Sequence, residues 1–227
     1  MIFITLTNSG YIDYTLNCIQ SLKRINCNDD LFIYCIGKEG YNVLKNKGHN
    51  CSLIDEEKNS NFQKFREGNW SNITYHKFTI IYENLLKHDY VCFTDGDIVY
   101  EDNTFLKYLQ DNIKDNDMII QQDGITYKNY LCSGFMFIKS NQKMIDLFNP
   151  INVEKFKNTI GWDDQVYINN IKEQFKFETL PLELFPNGLY YYKNSNQKNL
   201  KPYLIHFNWV VGHNKKQKMI QYNKWFL

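Results

Sequence analysis

Short apolar runs alternate with stretches of helical period along this chain. IFITLT (2–7) reads as a strand. A helix follows from about Gly10, with Ile12, Leu16 and Ile19 on one face and Asn8 or Ser9 as its cap. LFIYCIG (31–37) is a second strand, followed by a short helix to about Lys47, and CSLI (51–54) is a third. The polar segment 56–70 reads as a loop. Phe78, Ile81, Tyr82 and Leu85 then mark a helix over 73–88. Next comes an apolar run that ends in acids, FTDGDIVY (93–100). Strands at 117–123 and 131–140 follow, with GITYKN (124–129) as the turn between them. Ile168, Ile171 and Phe175 predict a helix over 163–175. Short strands FETL and YLIHFN and a helix from about Lys215 close the chain. Strands alternating with helices predict an α/β domain with a mixed, mostly parallel sheet flanked by helices. No repeat, linker or low-complexity segment divides 1–227, so one domain is expected.

Composition adds little beyond this. With 227 residues, 43% of them hydrophobic, the chain is long enough for one large core. A formal charge of +1 gives no field that recommends nucleic acid or an anionic membrane as partner. Six cysteines without a CxxC spacing read as reduced, buried thiols. The opening MIFITLTNSGY has no basic region and only a short apolar run, so no secretion leader is expected and the sequons at Asn50 and Asn72 carry little weight. No apolar run reaches the ~18 residues of a membrane span. The expected location is cytoplasmic.

The chemistry gathers at the ends of apolar runs. Asp95 and Asp97 stand at the end of the fourth expected strand, where α/β sheets build their sites. A buried run does not close on two carboxylates without a partner, because an unpaired buried charge is costly. Two carboxylates suit Mg²⁺ or Mn²⁺. The spacing points both side chains the same way on an extended backbone, and Gly96 permits close approach of a ligand. The bland alternative is a turn rich in Asp and Gly. GWDDQVYIN (161–169) places Asp163, Asp164 and Gln165 at a helix start, where a plain N-cap explains one Asp but not two. His206 closes another apolar run and is a metal-ligand candidate or a satisfied core histidine. Gly212 with Lys215 and Lys216 offers backbone and ammonium to phosphates.

In this order and at these spacings, TNSGYIDYTLNCIQSL, FTDGDIVY, CSGFMFIKS, WDDQVYIN and HFNWVVGHNKK resemble the nucleotide-diphospho-sugar transferases. These are retaining glycosyltransferases of the GT-A fold, related to the glycogenin-like enzymes. The resemblance implies that Asp95, Asp97 and His206 hold Mn²⁺ or Mg²⁺ on the diphosphate of a nucleotide sugar, with a UDP-sugar expected. It implies that Lys215 or Lys216 neutralises the departing diphosphate. Thr5, Thr7, Asn8 and Tyr11 would border the nucleotide, with Lys77, Gly96, Ser133, Gly134 and Gly212 also on the donor side. Asp164 and Gln165 match the family's acid–amide pair beside the anomeric carbon, with Asp163 adjacent and Asn169 completing the pattern. The chain departs from the family at Cys132, where relatives carry Asn near the donor sugar, and in its longer His206-to-Gly212 spacing. Both front-face attack and a covalent intermediate on Asp164 are open at this point. The acceptor would be a glycan or another hydroxyl.

Two rivals use the same acids. A haloacid-dehalogenase-like phosphatase also has DxD after an apolar strand, but near its N-terminus, whereas three strands precede it here. A non-catalytic nucleotide-sugar binder would keep the metal ligands but lose the sugar-face pair, which is present. Trp70, Trp162, Trp209 and the run 189–192 are candidate sugar-stacking aromatics. The polar segment with Asn61 and Arg66 is a candidate lid.

Overall fold

The computed structural model describes residues 1–125, 129–195 and 199–227; the central part of the turn expected at 124–129 lies outside them. Four parallel strands form the first half: β1 (Ile2–Asn8), β2 (Leu31–Ile36), β3 (Cys51–Ile54) and β4 (Tyr90–Asp95). The later strands are β5 (Ile98–Tyr100), β6 (Met118–Gln122), β7 (Leu131–Lys139), β8 (Phe177–Leu180) and β9 (Leu204–His206). The main sheet has the order β3-β2-β1-β4-β7-β6-β8, and β7 alone among its described strands runs against the rest. β5 and β9 form a separate antiparallel pair.

Both faces of the sheet are buried, which is why its strands read as continuous apolar runs rather than alternating ones. Phe3, Ile33 and Phe137 face one cluster, with α1 (Ile12–Arg24) and α4 (Phe105–Asn112). Ile4, Phe93 and Ile138 face the other, with α3 (Trp70–Leu85), α5 (Gln142–Phe148), α6 (Pro150–Thr159) and α7 (Asp164–Ile171). α2 (Lys38–Asn46) covers β2 and β3. α8 (Gly188–Asn194) and α9 (His213–Gln221) pack with β5 and β9 in a third cluster.

Several expectations shift. The first helix starts at Ile12, after a 3-10 turn whose Tyr11 N–H is capped by Asn8 Oδ1 at 3.1 Å. α3 starts three residues early, at Trp70, and α9 starts at His213. The helix expected over 163–175 ends at Ile171 and continues only as a 3-10 turn. The run 189–192 is helical; Tyr190 and Tyr191 are buried in the core rather than offered to a sugar. α4, α5, α6 and α8 have no counterpart in the sequence pattern. No helix among the described residues is long and apolar enough to cross a membrane.

Candidate active site

Strand direction decides which residues meet. β1 and β4 end at the same edge, and β7, running the other way, begins there; Thr94 pairs with Phe135, one residue past Gly134. β4 ends at Asp95, and Gly96–Asp97 form a tight turn into β5 rather than the extended backbone the spacing suggested. In the small sheet Ile98 pairs with His206, and Phe207 N–H donates to Asp97 C=O at 3.1 Å. That pairing delivers a histidine from the far end of the chain to the acids. Asp95, Asp97 and His206 each offer a ligand atom, all within 4.8 Å of one another.

Buried counter-charges hold this cluster. His206 Nε2 lies 3.3 Å from Asp97 Oδ1 and 3.9 Å from Asp95 Oδ2. The Lys215 ammonium donates to Asp97 Oδ2. Lys77 Nζ reaches Asp95 Oδ1 at 3.1 Å, Asp164 Oδ2 at 2.5 Å and the Ser133 carbonyl at 3.2 Å, and Ser133 Oγ donates to the same Asp164 oxygen at 2.7 Å. Burial opposes ionisation of Asp97, but Lys215 and His206 outweigh it and hold the carboxyl well below the usual range. Burial opposes the His206 cation as well, yet Asp97 and then Cys132 raise it to about 10. For Asp95, burial prevails over Lys77 and the carboxyl is raised.

His206 Nδ1 meets Gln121 Oε1 at 2.7 Å, and the Gln121 amide is oriented in turn by donating to Phe185 C=O at 3.0 Å. In neutral imidazole this puts the proton on Nδ1 and leaves the Nε2 lone pair toward the two acids, the tautomer a metal ligand needs. The β6–β7 register shifts between Ile120 and Gln121, the kind of irregularity that redirects a side chain. Gln121 was missed in the sequence, as was Asp123 just past the strand. QQD closing the run DMII carries the same signal that singled out Asp95: polar groups at the carboxyl edge of the sheet.

A cavity of about 560 Å³ opens over this edge. Its lining brings together Thr7, Asn8, Tyr11, Lys77, Asp95, Gly96, Asp97, Ser133, Gly134, Asp163, Asp164, Gln165, His206 and Lys215, all expected from the sequence. Thr5, Gly212 and Lys216 are outside the lining. Thr5 is fully buried, and the Lys216 ammonium sits over the Trp225 ring, so of the two lysines only Lys215 faces the cavity. The Asn8 amide is spent on the carbonyls of Asn59 and Asn61, both at 3.0 Å, which ties down the 56–70 segment. Asp163 is the N-cap of α7, accepting from Val166 N–H at 2.8 Å, and it pairs with Arg66 at 2.7 Å. Asn169 clasps both backbone groups of Leu131 at 2.9 Å and so fixes α7 against the start of β7. Trp70 and Trp209 line the cavity; Trp162 does not.

The sheet edge thus carries two acids, a histidine and two buried lysines around one cavity. The fold is shared with solved GT-A glycosyltransferases. The galactosyltransferase LgtC, in complex with donor and acceptor sugar analogues, superposes with a TM-score of 0.61 at 14% identity, covering 91% of this chain and 86% of that one. Mouse xyloside xylosyltransferase 1 gives 0.57 at 12% identity over 92% and 98%. A glycosyltransferase involved in glycosylation of the major capsid of PBCV-1 gives 0.59 at 8% identity over 96% and 99%. The family model for nucleotide-diphospho-sugar transferases matches residues 28–220, and the chain belongs to that family. A UDP-galactose:fucoside alpha-3-galactosyltransferase of Dictyostelium discoideum is 25% identical over 99% of this chain; the chain spans 43% of that relative's length. The family match disfavours the phosphatase alternative.

Proposed function

We propose that this domain is a divalent-metal-dependent, retaining glycosyltransferase that moves galactose from UDP-galactose to a hydroxyl acceptor. The observation that carries the reading is the convergence of Asp95, Asp97 and His206 within 4.8 Å, beside Lys215 and under the cavity. Two carboxylates and an imidazole with its outer nitrogen fixed suit Mn²⁺ or Mg²⁺. The bound ion would supply Lewis-acid neutralisation of the diphosphate. Lys215, buried beside the same acids, meets the charge that grows on the leaving oxygens, and its ammonium is already in place before the reaction. Thr7, Asn8 and Tyr11 border the nucleotide at the end of β1.

Retention fits front-face attack. The acceptor oxygen bonds to the anomeric carbon as the bond from that carbon to the diphosphate breaks. The bonding electrons leave with the phosphate oxygen, which also takes the acceptor proton. Asp164 supports this route rather than a covalent one. One of its carboxylate oxygens already accepts from both Lys77 and Ser133, which draws charge from the group and lowers its nucleophilicity. Asp164 and Gln165 instead orient and stabilise the sugar as it becomes positive. The galactose assignment rests on the Dictyostelium relative, and Cys132 is the residue to watch in testing it. Six free cysteines fit a reducing compartment and support a cytoplasmic setting.

The test is UDP release from UDP-galactose, UDP-glucose, UDP-N-acetylglucosamine and GDP-sugars, with and without Mn²⁺. Metal-dependent release from one donor, and an α-linked product by NMR, is the expected result; no turnover and no UDP binding would overturn the reading. Two further outcomes follow from His206. Gln121→Leu should weaken Mn²⁺ binding about 10–100-fold by calorimetry, because the tautomer loses its anchor. In the metal-free protein the His206 cation, raised from 6.5 to about 10, stabilises the fold fully below about pH 6.5, and that contribution is lost as pH rises through about 10. Metal binding should therefore release a proton, and Mn²⁺ affinity should rise between pH 6 and 8.

A further inference from the structure

Trp209 has a backbone that its residue type disfavours. Its φ is +63°, a region costly for a bulky side chain. The surroundings enforce it. The Asn208 carbonyl is seated against Gly188, where a Cβ would lie 2.1 Å from that oxygen, and it also accepts from Tyr192 O–H at 3.1 Å. Asn208 Oδ1 takes the Gly188 N–H at 2.7 Å. The indole is then fixed by its own N–H, which donates to Asp123 C=O at 3.0 Å. With that edge satisfied, the residue remains 54% exposed at the wall of the cavity. A strained residue with an oriented, uncovered aromatic face is what a stacking platform requires.

Its place decides what would stack there. Tyr11 follows β1, and Asp123 follows β6. In the order β1-β4-β7-β6 those ends are three strand spacings apart, about 14 Å. Trp209 is therefore at the opposite end of the cavity from the nucleotide side, past the cation cluster. Around it stand groups suited to hydroxyls: the Asp123 carboxylate, the Gln165 amide that hydrogen-bonds to it, and Tyr130 beside Gln165. An apolar face ringed by such donors and acceptors matches a pyranose, with C–H groups on one face and hydroxyls on its rim.

On the glycosyltransferase reading above, we propose that Trp209 is the platform for the acceptor sugar, so that the acceptor is a pyranoside rather than a simple alcohol or a peptide hydroxyl. The test uses the wild-type chain with UDP-galactose and Mn²⁺. Acceptors are a panel of p-nitrophenyl hexo- and deoxyhexopyranosides, glycerol and a serine peptide. Transfer and donor hydrolysis are measured in the same reaction. The expected ratio of transfer to hydrolysis falls on the order of tenfold in Trp209→Ala and returns to within about threefold in Trp209→Phe, through the acceptor KM. Partial unfolding would lower both rates together and leave the ratio unmoved. An unchanged ratio in Trp209→Ala, or equal use of glycerol or peptide and the pyranosides, overturns the platform while leaving the transferase standing. Wild type with neither hydrolysis nor UDP binding overturns both.

Discussion

Replacing Asp97 by Asn is expected to abolish metal-dependent UDP release, by on the order of 10³-fold or more, and to loosen the fold at the same time. The neighbouring Asp95→Asn is expected to lose comparable activity at a much smaller cost in stability. The two acids of one motif differ in their surroundings. Asp97 is almost fully buried, between the Lys215 ammonium and His206. Its amide would take the carboxylate from the Lys215 ammonium and leave His206 only the more distant Asp95 at 3.9 Å, and breaking a buried pair typically costs about 3–5 kcal/mol. For a chain of this length that is a fall in Tm of roughly 6–20 °C. The Asp95 side chain is 34% exposed, and its partner Lys77 keeps Asp164 at 2.5 Å when Asp95 is neutralised. Thermal unfolding of both variants without metal, alongside UDP release at saturating Mn²⁺, checks this. Equal Tm values for the pair would show that the buried charge balance has been misread, and turnover by Asp97→Asn would remove it from the metal site.

Gly134→Ala is expected to be nearly as damaging to activity, although it adds one methyl group. A Cβ there would lie 2.3 Å from His206 Cε1 and 2.7 Å from Asp95 Oδ2. Neither neighbour is free to retreat. His206 is backed by Gln121, and Asp95 is held by Lys77. Overpacking of this kind costs about 1–3 kcal/mol. Its larger effect is to displace two of the three residues proposed to hold the metal, and a shift of about 1 Å near the reacting centre costs on the order of 10² in rate. Turnover should fall about 10²-fold or more, with weaker Mn²⁺ binding by calorimetry. Gly48→Ala is the control: its Cβ would meet nothing within 4 Å, and only its φ of +76° is strained, so stability falls and Mn²⁺ affinity does not. If Gly134→Ala binds Mn²⁺ as wild type does, the close approach of β7 to the acids is not what shapes the site.

The sequence made some of this legible and hid the rest for identifiable reasons. FTDGDIVY announced itself because carboxylates closing an apolar run are conspicuous whatever lies nearby. α4 and α5, by contrast, are short amphipathic helices of eight and seven residues whose apolar positions scarcely complete two turns. α8 is masked by its tyrosines, which read as sugar contacts, although Tyr190 and Tyr191 are core. Thr5 shares its strand face with Thr7 but lies two residues farther from the carboxyl edge, inside the sheet, and Lys216 is rotated away from Lys215 by the helix. Lys215 therefore enters the cavity while Lys216 goes to Trp225.

The linear pattern alone determined that a mostly parallel α/β sheet forms, that β4 ends in acids and that a helix begins within Asp163, Asp164 and Gln165. Each follows from interactions within a few residues: strand and helix periods, a cap, a turn. Only the tertiary structure decided what those acids meet. The antiparallel turn of β7 sets Gly134 against Asp95, the β5–β9 pairing brings His206 to Asp97, and Lys77 joins Asp95 to Asp164 across the crevice. These partners lie far apart along the chain, and no local period encodes their distance. They meet because strand direction and burial leave each charge one compensated place to stand.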